Sequence, residues 1–234
     1  MATSDGRYQD AWPGEGSSRE CSVLLLADDY FCIAVDEHSG RPRASSRVTG
    51  FGLAAALLAE LVLSGRLEIQ ADQVRAIDVE PPADALSGWV HGQMVSHPQH
   101  RTLQTWLEFL GPPALDAVGR RLAGKQIVQI AAQRRRLRRE EVLYRALDHN
   151  AVVVPGIRIA NRLSAGEPME PRDVMCLALC AATGLVKHVL WDPQQHRDAL
   201  AAVPAVLARL PGPLTSLRKQ LEVVVGTAVL TNRS

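Results

Sequence analysis

The stretch Gly52–Leu67, GLAAALLAELVLSGRL, decides the fold. Alanine and leucine are strong helix formers, and the run leaves no polar stripe for solvent, so it predicts a helix inside the molecule. Its expected extent is 51–64, with Gly65 ending it. One acid, Glu60, stands in this apolar run, flanked by Leu57, Leu58, Leu61 and Val62. Burial there raises a carboxyl toward the range useful for general acid or base work. The competing reading, which is preferred, is a core carboxylate satisfied by helix N-termini or by an arginine such as Arg66.

Before this helix, Asp28 reads as the cap of a short helix through Val35, with Asp29 in its first turn and the turn DEHSGRP at 36–42. After it, residues 67–79 alternate imperfectly and read as a small hairpin or an extended excursion. Helical spacing recurs over 85–95 and 101–110, then over 115–132 once Pro112 and Pro113 restart the chain. The run QRRRLRREEVL suits a solvated helix or a winged turn. NAVVVPGIRI, 150–159, reads as a β-rich segment with a turn at Pro155-Gly156. Helices are expected over 173–189, 199–210 and 214–230. Amphipathic helices with short connections around two nearly continuous apolar ones predict an all-α class, a central bundle ringed by amphipathic helices with a small β-hairpin.

At 234 residues with 47% hydrophobic side chains, the chain can bury one sizeable core. A single domain over 21–234 is expected, behind a disordered tail at 1–20. The charges balance, 26 basic against 25 acidic, so no bulk field draws the molecule to nucleic acid, and any electrostatic partner must be met locally. Only Lys125, Lys187 and Lys219 are lysines, a bias characteristic of a G+C-rich genome. The cysteines, Cys21, Cys32, Cys176 and Cys180, form no CxxC pair, and a reducing cytoplasm is expected. The N-terminus lacks the basic and apolar regions of a secretory signal.

Three segments, LADDYFCIAVDEHSGRPRA at 26–44, the 52–67 helix and TLQTWLEFLG at 102–111, resemble the Golgi phosphoprotein 3 family. MEPRDVMCLALCAATGLV at 169–186 adds to the resemblance, which runs from about 26 to 230 and thins between Arg134 and Glu167. Eukaryotic members are peripheral membrane proteins that bind phosphatidylinositol 4-phosphate; bacterial relatives are common in actinomycetes, and this chain reads as one of those. The resemblance implies a mainly α fold with a central four-helix bundle and a small hairpin. It also implies a headgroup site made of one tryptophan and several basic residues. Aligned on Glu60, this chain has Ser45 at the tryptophan, Ala54 at the first arginine, and Asp116 and Gly119 at a further basic pair. An anionic headgroup needs convergent donors, so the family's site is largely replaced.

A substitute anion site could draw on Arg43, Arg47, Arg120 and Arg121. The densest basic run, Arg134, Arg135, Arg136, Arg138 and Arg139, fits a solvated face or an anionic membrane; without interleaved aromatics, nucleic acid is not expected as a partner. No HExxH, phosphate loop or GxSxG motif occurs, so neither metal nor cofactor is expected. The tryptophans read as core or interface anchors. The function expected is a non-catalytic binding or adaptor protein, cytoplasmic, free or peripheral to a membrane, with an anionic surface or a protein as partner. The alternative is a cofactor-independent tailoring or cyclising enzyme acting on a small hydrophobic molecule in the former lipid pocket, with Glu60, His91 or Asp28 as its acid/base groups.

Overall fold

The computed structural model describes residues 24–77, 80–133, 141–190 and 195–231. The N-terminal tail and the five-arginine run lie outside these residues. At the centre is α2, Ser46–Leu63, capped by Ser45, whose hydroxyl accepts from the Val48 amide at 3.3 Å. From Val48 to Leu61 only Glu60 is not fully buried. Four helices enclose α2: α1 (Leu26–Ala34), α4 (Leu103–Gly124), α6 (Pro171–Ala182) and α9 (Gly212–Thr231). Small residues set the closeness of this packing. A Cβ on Gly50 would stand 2.3 Å from the Gly111 carbonyl of α4, and one on Gly52 would stand 2.2 Å from the Tyr30 hydroxyl of α1. The helix α2 is long and apolar enough to cross a membrane, yet 72% of it is buried inside this fold.

The outer elements are α3 (Ala85–Ser96), α5 (His149–Ala165), α7 (Val186–Val189) and α8 (Gln195–Leu207). Two antiparallel hairpins accompany them: β1 (Leu67–Gln70) with β2 (Gln73–Ala76), and β3 (Val128–Gln133) with β4 (Glu141–Ala146). The class is therefore mainly α, with the first hairpin inside the alternating stretch that predicted it.

Four local expectations are corrected. Asp28 is not the cap of α1 but its third residue, where its carboxylate accepts from the amide of the capping residue Leu25. The helices expected over 101–110 and 115–132 are one helix, α4, that runs through Pro112 and Pro113. Interior prolines cost a helix about 3 kcal/mol or more. Here Leu107, Leu110, Ala114 and Val118 are fully buried, with α4 packed along α2, and that packing wins. At its end Gln126 takes φ 58° while the Ile127 amide bonds to the Leu122 carbonyl at 3.0 Å, closing the helix and releasing β3. The segment 150–159 is helical, inside α5: Asp148 caps the Ala151 amide at 3.0 Å, and Val152, Pro155, Ile159 and Leu163 are buried at helical spacing. Burial overrides the β propensity of its valines. The apolar stretch expected over 173–189 breaks at Gly184, φ +74°, into α6 and α7.

Candidate functional site

Consecutive aspartates on α1 organise two charged clusters. Asp28 is fully buried and faces α4: its Oδ1 accepts from Arg121 Nε at 2.8 Å, and its Oδ2 accepts from Lys125 Nζ at 2.8 Å and from the Leu25 amide at 2.9 Å. The Arg121 guanidinium, 6% exposed, also reaches Glu60 at 3.3 Å and Asp84 at 3.0 Å. Glu60 receives two further donors, the Ala27 amide at 2.7 Å and the Ser87 hydroxyl at 2.7 Å, while Asp84 caps α3 through the Ser87 amide at 2.8 Å. Four helices are thus tied through one buried guanidinium.

Burial pushes the Glu60 carboxyl above its ordinary range, against the pull of Arg121 and the Ala27 amide. Burial also acts on Asp84, but there Arg121 and the Ser87 donors outweigh it and hold the carboxyl low. Arg121 itself is desolvated, yet Glu60, Asp28 and Asp84 together raise it, so it stays a cation. The two partners of the Arg121–Glu60 pair respond differently for a simple reason: three carboxylates support one guanidinium, while Glu60 has only a share of it.

The second cluster lies on the other flank of α1. Asp29, also fully buried, accepts through Oδ2 from Arg158 at 2.8 Å and from Arg172 at 2.6 Å. Asp173 at the start of α6 accepts from Arg158 at 2.8 Å and Arg162 at 3.3 Å, and Arg172 also donates to the Leu24 carbonyl. These three arginines are 27–32% exposed, so the cluster opens to water. Oδ1 of Asp29 is buried with no hydrogen-bond partner, and burial raises the Asp29 carboxyl despite Arg172 and Arg158.

The structure therefore brings Asp28, Glu60 and Arg121 together and leaves the other sequence candidates apart. His91, buried on α3, is 2.8 Å through Nε2 from the Ile77 carbonyl; a carbonyl only accepts, so this nitrogen carries the proton. Arg43 binds Asp36 at 2.9 Å and also Glu37. Arg47 lies over the Phe51 ring, 5.7 Å from its centroid. Arg120 points away from its neighbour Arg121 and pairs with Asp116 on the surface. Among the family's headgroup positions, Ala54 is fully buried, Asp116 is taken by Arg120, and a Cβ on Gly119 would stand 2.3 Å from the Tyr144 ring. Arg66 bonds the Glu80 carbonyl and has no part in the Glu60 cluster.

Among the described residues, Asp36, Glu37 and His38 come close enough to share a metal ion, but the Arg43 guanidinium already binds both acids. A small, mostly apolar hollow whose lining includes Phe31, Cys32, Val35, Glu37, Tyr144 and Val152 offers about 10 Å3, the least that a single water needs. Asp84, Ser87, Lys125, Asp173, Arg158, Arg162 and Arg172 did not emerge from the sequence reading. A signal existed for some: Asp84 stands three residues before Ser87 at a helix start, and Arg158 and Arg162 are four apart on one helix face.

The sequence model of the Golgi phosphoprotein 3 (GPP34) family matches residues 26–222. No curated protein matches the chain.

Proposed function

The chain belongs to the Golgi phosphoprotein 3 family, and from that premise we propose that it is a non-catalytic docking protein that meets an anionic membrane surface by charge rather than through a phosphoinositide pocket. The observation that carries this reading is the closure of the Asp28 cluster. Glu60 and Asp28, the acids that could have served catalysis, are spent on amides, Ser87, Lys125 and Arg121, and Arg121 is turned inward to three carboxylates. A general acid or base must reach a substrate proton, and a headgroup donor must reach a phosphate. Neither group is free to do so.

What remains for an anionic surface is diffuse charge. The run Arg134, Arg135, Arg136, Arg138 and Arg139 supplies it at roughly 1 kcal/mol for each residue near the membrane. Co-sedimentation with vesicles tests the proposal. Vesicles holding phosphatidylinositol 4-phosphate should bind no better than vesicles of equal charge made with phosphatidylglycerol. Binding should fade with salt, as the screening length falls from ~10 Å at 0.1 M to ~3 Å at 1 M, and should vanish when all five arginines become glutamine. A tenfold or so preference for the phosphoinositide, or binding that survives high salt, would overturn it.

A further inference from the structure

Helix α5 has two apolar stripes, and the fold covers only one. Its inner stripe, Val152, Pro155, Ile159 and Leu163, is buried. On the outer side Val153, Val154 and Ile157 are 37%, 48% and 41% exposed, and Asn150 and Asn161 are exposed with them. A contiguous apolar stripe left on a helix surface commonly marks a contact surface. Valine and isoleucine are also not chosen for an exposed helix surface by propensity, because they lose side-chain freedom against the preceding turn. Neither burial within the chain nor helix preference accounts for the outer stripe.

We propose that this stripe is a self-association surface, on which α5 packs antiparallel against α5 of a second copy of this chain. Asn150, Val154, Ile157 and Asn161 follow one another at spacings of four, three and four, the spacing of a helix–helix seam. The order is symmetric about a point midway between Pro155 and Gly156. A two-fold axis there sets Val154 against Ile157 of the second copy, and Asn150 against its Asn161, each contact occurring twice. Apolar meets apolar at the centre and amide meets amide at the ends, the self-complementarity an isologous interface requires.

Charge points to the same occupant. No acid, lysine or arginine stands between Asp148 and Arg158, so two copies of the stripe face each other without like-charge repulsion. Arg158, the nearest charged side chain, is held on the inner flank by Asp29 and Asp173. A membrane is the poorer match, because an interfacial helix carries aromatic or leucine anchors flanked by free cations, and this stripe has neither. One helix pair buries less than the roughly 1,200 Å2 of a standard interface, so the dimer is weak and concentration-dependent.

Sedimentation velocity from about 1 to 300 µM should show a monomer–dimer equilibrium that Ile157→Arg weakens at least about tenfold with an unchanged circular-dichroism melt. Adding Val154→Glu to Ile157→Arg should restore it, since antiparallel packing opposes the two new charges across the axis. The unaltered protein provides a check that needs no variant: between dilute and concentrated samples, hydrogen exchange should slow only in the peptide spanning 149–161. A monomer throughout that range would overturn the proposal. So would a dimer indifferent to Ile157→Arg, a folded double variant that stays monomeric, protection that appears elsewhere, or a stripe whose substitution abolishes vesicle binding.

Discussion

Asp28 and Asp29 are neighbours on one turn of α1, equally buried, and their surroundings could hardly differ more. Asp28 joins a sealed cluster in which α1, α2, α3 and α4 contribute to one guanidinium and both carboxylate oxygens are bonded. Asp29 joins an open cluster in which three arginines on α5 and α6 form a rim to water and one carboxylate oxygen is left unpaired. Burying a charge is costly unless donors replace the lost water. The sealed cluster replaces water at Asp28, Glu60 and Arg121, leaving only Asp84 and Lys125 partly exposed at its edge, and fixes four helices in one arrangement. The open cluster keeps access to water and leaves part of the desolvation uncompensated. Rigidity should therefore belong to the first and sensitivity to solvent conditions to the second.

The strongest way to break this comparison is Arg121→Met. It strands Asp28, Glu60 and Asp84 against a single remaining cation, Lys125, and removal of one partner from a buried ion pair costs about 3–5 kcal/mol. Urea unfolding should show a loss of that size. A loss below about 1 kcal/mol would mean that water enters the cluster and that it is not sealed.

Glu60→Gln comes next. The amide nitrogen would point at the Arg121, Ala27 or Ser87 donors, so one hydrogen bond is replaced by a donor–donor contact and the charge is lost, for about 1–3 kcal/mol at neutral pH. The pH dependence follows from the raised Glu60 carboxyl. An acid whose folded pKa exceeds its unfolded value binds protons more readily when folded, so its contribution to stability falls as pH rises through the folded pKa and is fully present below the unfolded value. The native protein should accordingly gain on the variant as pH is lowered from 7 toward about 4.3. A gap that narrows instead would show that Arg121 overcomes burial at this carboxylate. Asp84 has the opposite sign, its stabilisation being lost as pH falls through its lowered pKa.

How much of this was legible in the sequence depends on the range of the interaction. The core helix, its lone acid and most of the C-terminal helices follow from composition and periodicity, which are local. Proline and β-branched residues misled where tertiary packing outweighed them, at Pro112-Pro113 in α4 and at Val152–Val154 in α5. The clusters themselves were half visible. Glu60 stood out as the lone acid of an apolar run and Asp28 as a helix cap, but their partner Arg121 lies 61 and 93 residues away, and adjacent Arg120 and Arg121 look alike in sequence. Only the helix phase, set by α4 continuing through its prolines, turns one inward and the other outward. Asp173 lies only 15 and 11 residues from Arg158 and Arg162, but on the next helix, so their pairing depends on how α5 and α6 pack rather than on spacing along one helix.

In the open cluster, Arg158→Met removes one of two cations from Asp29 and the main one from Asp173. Solvent moderates the loss, which should be about 1–2 kcal/mol at low ionic strength. Its dependence on salt separates the clusters. Raising ionic strength from about 0.1 M to 1 M shortens the screening length from ~10 Å to ~3 Å for exposed charges. The cost of Arg158→Met should shrink over that range in parallel urea titrations, while that of Arg121→Met stays constant. Equal salt dependence would erase the distinction between a sealed and an open cluster.

The smallest expected effect sits one residue from the largest. Arg120 is 46% exposed and pairs with Asp116, itself 44% exposed, four residues earlier on α4. Such surface pairs contribute about 0.3–0.5 kcal/mol, because water screens the charges and two long side chains must be held still. Arg120→Ala should change stability by no more than that, and the change should disappear at high salt. Vesicle binding should be unaffected as well, since one paired arginine adds little to a contact governed by a diffuse field. The contrast with Arg121 then isolates helix phase as the cause, as the two differ in little else. A loss of more than 1 kcal/mol or so would show Tyr144 or the hairpin resting on Arg120. Loss of vesicle binding without loss of stability would place Arg120 in contact with phosphate and revive a localised anion site on the outer face of α4.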